Sequence, residues 1–211
     1  MKHEWRKVEK NIYLPKKQPA KIELKPMKYF TIEGIGNPNS KEFSEAVRVL
    51  YAMSYGVKTA PKKGKTPDGY FDYTVYPLEG FWSLNDVGIK QFKEDKVFCK
   101  KDLMFKLMIR QPEFIRSDFA LKIVEDISKS KPNEYNKRIK FEIIEEGLCV
   151  QALHLGSYDT ETITFSTMNE YCEENKLQRL NLYHKEIYLN DPRKTEPEKN
   201  KTVLRYSVEK I

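Results

Sequence analysis

Tyr183-His184-Lys185-Glu186-Ile187-Tyr188-Leu189 is rich in aromatic and β-branched residues and stops at Asn190-Asp191-Pro192. Asn and Asp close turns with their side chains and Pro cannot continue a ladder, so the spacing predicts a strand followed by a turn. Period-2 alternation puts His184, Glu186 and Tyr188 on one face and Tyr183, Lys185, Ile187 and Leu189 on the other. One face therefore carries a carboxylate flanked by an imidazole and a phenol. Burying that carboxylate is costly unless something pairs with it. An exposed Glu on an edge strand is the plain alternative.

Outward from this strand, the second half of the chain reads as strand, helix, strand, strand. Residues 140–156 form a strand region ending in Leu155-Gly156, and Ser157-Tyr158-Asp159 make a turn. A helix follows from about Glu161 to Asn175, and then the strands Tyr183–Leu189 and Thr202–Val208. The first half has the same order. Strand character runs from Ile22 to Gly36. Ser40 then caps a helix over Lys41–Tyr55, whose stripe includes Phe43, Val47 and Leu50. Tyr51 and Tyr55, four residues apart, share a face of it. Tyr70–Tyr76 reads as a strand leading to Pro77-Leu78-Glu79-Gly80-Phe81-Trp82, residues 83–98 as a loop, and Leu103–Ile109 as a strongly apolar strand. An amphipathic helix from Glu113 to about Ser130 stops at Lys131-Pro132-Asn133.

The repeated order, with Gly36 and Gly156 at matched positions, argues for duplication. The expected fold is α+β: two pseudo-twofold-related β-α-β-β modules forming one antiparallel sheet with helices on one face. Module one spans about 21–112, a linking helix about 113–131, and module two about 139–211. Residues 1–20 form an N-terminal arm that packs on the body through Trp5 and Tyr13. A groove between helices and sheet is the natural ligand site.

The 211 residues include 38 Lys and Arg against 31 Asp and Glu, a net charge of +7. Lys16-Lys17 and Lys62-Lys63-Gly64-Lys65 sit beside Pro and Gly and read as solvated loops. No nucleic-acid signature accompanies them, so a nucleic-acid partner is not expected. Cys99, Cys149 and Cys172 are far apart and lack CxxC spacing, which fits reduced thiols in a cytoplasmic protein. No apolar run approaches membrane-spanning length. Separated histidines and unpaired cysteines argue against a metal, and no cofactor fingerprint is present.

Several segments together resemble the stand-alone GyrI-like small-molecule-binding proteins. They are Ile-Gly-Asn-Pro-Asn (35–39), Val-Tyr-Pro-Leu-Glu-Gly-Phe-Trp (75–82), Met-Ile-Arg-Gln-Pro (108–112), Glu-Gly-Leu-Cys-Val-Gln-Ala-Leu-His-Leu-Gly-Ser-Tyr-Asp (146–159), His-Lys-Glu-Ile-Tyr-Leu-Asn-Asp-Pro-Arg (184–193) and Lys-Thr-Val-Leu-Arg (201–205). The resemblance implies a duplicated SHS2-type fold. It is related to the effector pockets of MerR- and AraC-type multidrug-sensing regulators, where an acidic residue amid aromatics receives cationic, lipophilic compounds. It also implies kinship with hydrolases that open strained cyclopropane rings of alkylating compounds. Glu186 matches the family's pocket acid and Trp82 its aromatic wall. Where the family shows Gly-Leu-Trp-Trp, this chain has Gly-Phe-Trp-Ser.

The candidate site therefore has Glu186 as carboxylate or general base, its pKa expected to rise on burial. Ligand contacts are expected from Trp82, Tyr51, Tyr55, Glu79, Tyr73, Met108, His184 and Tyr188. His184 would orient Glu186, and a Tyr188 or Tyr73 hydroxyl would hydrogen-bond an oxygen on which charge develops. His154, at a strand end, is expected to make a structural hydrogen bond. Two functions fit: hydrolysis of electrophilic, lipophilic toxins, or non-catalytic binding of cationic amphipathic compounds. The second class includes a protein partner such as DNA gyrase or a regulator, and the chain is expected to be a monomer or homodimer.

Overall fold

The computed structural model describes residues 2–95 and 97–211. In chain order the elements begin with α1 (Trp5–Val8), α2 (Lys10–Tyr13), β1 (Ala20–Leu24), β2 (Met27–Ile35) and α3 (Lys41–Thr59). Next come β3 (Leu78–Leu84), α4 (Asp86–Asp95), β4 (Leu103–Gln111), α5 (Ser117–Ser130) and β5 (Lys140–Ile144). The chain closes with β6 (Gly147–Leu155), α6 (Glu161–Glu174), β7 (Leu177–Arg179), β8 (His184–Tyr188) and β9 (Lys201–Lys210). The fold is α+β, and the strand pairs within each unit are antiparallel.

Two compact units divide the chain. One holds residues 2–3 and Met27–Ile144, the other Glu4–Pro26 and Glu145–Ile211. Each contains a β-α-β-β module, β2-α3-β3-β4 in the first and β6-α6-β8-β9 in the second. Each adds a strand from before the other module in sequence: β5 pairs with β2, and β1 with β6. Gly36 and Gly156 end the two leading strands at φ of 123° and 140°, a region open to Gly without steric cost.

In the first unit the sheet runs β3-β4-β2-β5. Helix α3 starts where the sequence predicts, with Ser40 Oγ accepting from the Phe43 amide at 3.1 Å. It runs past Gly56 to Thr59 instead of ending near Gly56. A Cβ at Gly56 would meet Ile123 Cγ2 of α5 at 2.9 Å, so this glycine serves close helix approach rather than termination. Tyr70–Tyr76 is not a strand. It contributes a single bridge, Tyr73 to His3, with the His3 amide donating to the Asp72 carbonyl and the Thr74 amide to the His3 carbonyl. Residues 83–98 are not a plain loop either. The Asn85 side chain accepts from the Gly88 amide at 2.8 Å and so starts α4.

In the second unit the sheet runs β1-β6-β9-β8, with β7 also on β9. Helix α6 covers one face. Its Met168 and Cys172 pack with Val150, Ala152, Leu204, Tyr206 and Val208. The other face buries charge. Lys185 is 0% exposed and donates to Glu146 Oε1 at 2.6 Å, and Arg205 Nη1 lies 3.6 Å from the same oxygen. Arg205 also donates to Gln151 Oε1 at 2.8 Å and to the Ile12 carbonyl at 2.7 Å, while Gln151 Nε2 donates to the Asn11 carbonyl at 2.6 Å. These bonds hold the N-terminal arm to the sheet, with Trp5 and Tyr13 buried at ring centroids 5.1 Å apart.

Burial works to raise the Glu146 pKa, but Lys185 and Arg205 outweigh it and hold the carboxyl below its ordinary value. A depressed folded-state pKa contributes stability that is present above the unfolded value of about 4.3 and lost as pH falls through the folded value. Acid unfolding should therefore steepen below about pH 4.3, and Glu146→Gln should flatten that limb. Lys185→Met, which breaks a buried pair from one side, should lower stability by about 3–5 kcal/mol in urea denaturation at pH 7.

Candidate functional site

Alternation along β8 decides where its charged residues go. Lys185 and Ile187 turn toward the arm, and His184, Glu186 and Tyr188 turn toward α6, since Glu186 lies opposite Leu204 of the α6-covered face. His184 Nε2 is 3.1 Å from Glu186 Oε1, and the Phe165 ring of α6 meets the imidazole edge-on at 4.8 Å between centroids. Tyr188 meets Tyr158 edge-on at 6.1 Å. Glu186 is 8% exposed, so the plain edge-strand alternative does not hold.

A second carboxyl joins this group. Glu161, the first residue of α6, is also 8% exposed, and its Oε1 has no hydrogen-bond partner among the described residues. One donor atom from each of Glu161, His184 and Glu186 lies within 4.8 Å of the others. Burial, then the Glu186 and Asp159 charges, push the Glu161 carboxyl up to about 10. The Tyr158 hydroxyl is raised for similar reasons, burial first and then Glu186, Glu161 and Asp191.

The turn that delivers Glu161 is built by His154. Its Nδ1 lies 2.8 Å from Thr164 Oγ1, and its Nε2 lies 3.0 Å from the Ser157 carbonyl and 3.3 Å from Thr160 Oγ1. With Nε2 protonated the ring donates to Ser157 and accepts from Thr164, so both nitrogens are used. His154 is the structural residue its strand-end position suggests.

The remaining sequence-picked residues lie in the first unit. Trp82 is buried on the α3 side of its sheet, stacked on Phe43 at 5.8 Å and beside Phe105 at 5.8 Å. Glu79 is three residues away on the same strand and so faces the opposite side, where it sits across from Met108 and accepts from the Tyr29 hydroxyl at 3.5 Å. Tyr51 and Tyr55 are paired on α3 at 6.3 Å, and Tyr55 is 53% exposed. Tyr73 belongs to another aromatic group, with Tyr76 and Phe114 at 6.4 and 6.1 Å and the Lys58 ammonium 5.2 Å above its ring. Its buried hydroxyl has no hydrogen-bond partner among the described residues, and desolvation raises its pKa.

The group around Glu186 thus combines His184 and Tyr188 with residues not singled out from sequence, namely Glu161, Tyr158 and Phe165. Tyr158 and Glu161 were legible only as turn and helix start. A turn beside a matched glycine is the signal that could have found them.

A family model for the GyrI-like small-molecule-binding domain matches residues 17–207. A crystal structure of a hydrolase from Listeria innocua is 34% identical over 99% of this chain and 100% of that one, with a TM-score of 0.89. An uncharacterised conserved protein from Listeria innocua is 36% identical over 99% of this chain and 100% of its own, with a TM-score of 0.87. The C-terminal domain of EcmrR shares the fold at 17% identity and a TM-score of 0.52, over 92% of this chain and 98% of that one. No curated protein matches the sequence. Among the described residues no helix is long and apolar enough to cross a membrane.

A raised folded-state pKa contributes stability present below the unfolded value and lost as pH rises toward the folded one. Glu161 should therefore cost stability progressively above about pH 4.3. Glu161→Gln should be more stable than the native chain at pH 7, by on the order of 1–3 kcal/mol, with the gain vanishing near pH 4. Chemical denaturation at the two pH values measures this.

Proposed function

We propose that this chain, which belongs to the family of GyrI-like small-molecule-binding domains, hydrolyses a lipophilic, electrophilic small molecule with Glu186 as general base. One observation carries the reading: a buried Glu186 carboxylate, oriented by His184 at 3.1 Å, stands beside Glu161 and the Tyr158–Tyr188 pair. A carboxylate exposed to bulk water would spend its basicity on solvent, whereas one in a partly dry aromatic setting can be aimed at a single water. The description of a Listeria innocua protein a third identical to this chain as a hydrolase supports the same class of reaction.

For a cyclopropane conjugated to a carbonyl, the steps balance as follows. Glu186 takes a proton from water while the water oxygen bonds to a ring carbon. The strained carbon–carbon bond breaks, and its electron pair passes through the conjugated system to the carbonyl oxygen. That oxygen, hydrogen-bonded by the Tyr188 hydroxyl while charge develops, takes a proton from solvent, and Glu186 returns to solvent the one it accepted. Release of ring strain supplies the driving force, so no cofactor enters.

A second reading, non-catalytic capture of a lipophilic cation, is favoured by one specific feature. Among the described residues, Glu161 and Glu186 have no Lys or Arg ion-paired with them. A ligand ammonium would fill that role, and the Tyr158, Tyr188 and Phe165 rings would add about 0.5–2 kcal/mol each if the cation met their faces.

Incubation of the protein with a cyclopropane-bearing alkylator, followed by mass spectrometry for water addition, tests the first reading. Turnover is expected in the native chain, and Glu186→Gln should reduce it by about 10²–10⁴-fold. Full activity in Glu186→Gln removes Glu186 from the reaction. Saturable binding without turnover selects the second reading.

A further inference from the structure

In the second unit, α6 and β8 bring three metal-capable side chains to one point. His184 and Glu186 occupy alternate positions of β8, hence one face, and Glu161 faces them from the first turn of α6. Glu161 is 8% exposed, yet its Oε1 accepts no hydrogen bond among the described residues. A buried oxygen left without a donor costs about 1–3 kcal/mol, and more when the group is charged. Among the described residues no Lys or Arg is ion-paired with either carboxyl, so a cation is the partner that their meeting still lacks. The orphan oxygen lies on the group that converges with the other two donors, so one cation placed among them answers both deficits.

We infer that Glu161, His184 and Glu186 form a binding site for a divalent transition-metal ion of the zinc type. The donor set decides the class of ion. Imidazole with two carboxylates suits zinc and its first-row neighbours, whereas calcium and magnesium take oxygen ligands in greater number. Zinc bound to nitrogen and oxygen at about 2.0–2.2 Å places tetrahedral donors roughly 3.3 Å apart. The His184–Glu186 pair stands at 3.1 Å already, and the widest separation in the trio is at most 4.8 Å. Closing that gap asks for a movement of about 1–1.5 Å, which the Glu161 side-chain torsions supply by rotating between staggered states. The Phe165 ring holds the imidazole from one side, which limits the rotation lost on binding. Three protein ligands leave a fourth position for water or a ligand atom.

This inference does not rest on the hydrolytic reading. A metal ion would compete with an organic ligand for Glu186, and metal binding is measured without any substrate.

The protein is stripped with EDTA, returned to chelator-free buffer, and titrated with zinc chloride in a calorimeter. Zinc content is then measured after desalting. One ion per chain is expected, with affinity at least tenfold weaker in Glu161→Gln and in His184→Gln and unchanged in Cys99→Ser, which removes the exposed thiol. Zinc should also raise the thermal midpoint of the native chain and not of the two site variants. Far-UV circular dichroism confirms folding. Each site variant comes from a different element, so either one carries the test if the other does not fold. Absence of saturable zinc binding, or native affinity in the folded site variants, overturns the inference.

Discussion

The buried contact between Lys185 and Glu146, reinforced by Arg205, is the constraint on which the second unit depends. An ammonium that is 0% exposed cannot be left unpaired, so β8 can lie in only one register against β9. A slip of one residue would exchange Lys185 and Glu186, putting a carboxylate against Glu146 and an ammonium under α6. The same network reaches through Arg205 and Gln151 to the carbonyls of Ile12 and Asn11, so it closes the arm onto the sheet as well. Fixing the strand on its charged face is what presents Glu186 on the other.

On the α6 face the arrangement is of the opposite kind. Glu146 is held below its ordinary pKa by two cations, whereas Glu161 is pushed above it by burial and a neighbouring carboxylate. Both are buried acids in one small unit, and partner charge alone separates their behaviour. A group that pays stability to keep a deprived carboxyl in place is the pattern expected of a ligand site. His154 makes that placement rigid by tying the end of β6 to Ser157, Thr160 and Thr164.

Several elements were legible because their signals are local. Ser40 as cap, the apolar stripe of α3, the turn after Leu189 and the repeated β-α-β-β order each depend on neighbours in sequence. Other elements were not. Gly56 reads as a stop, but Ile123 of α5 needs its missing side chain. Tyr70–Tyr76 alternates like a strand, yet among the described residues it pairs only at Tyr73, with His3. Alternation records which residues can face a core, not whether a neighbouring strand exists to accept the hydrogen bonds. The start of α4 rested on Asn85, the cap of a short helix whose Val87 and Phe92 stay exposed.

By itself, the sequence determined the fold class and the sorting of His184, Glu186 and Tyr188 to one face of a strand, since period and capping act over a few residues. It also marked the segments that resemble the GyrI-like family. Tertiary structure alone decided that Lys185 is buried rather than solvated, and that Trp82 stacks on Phe43 of α3. It also brought Glu161 from a helix start to within 4.8 Å of His184 and Glu186. The reason is distance along the chain: a carboxyl pair assembled from α6 and β8 exists only once α6 has packed onto the sheet and β8 has been locked by its buried charge.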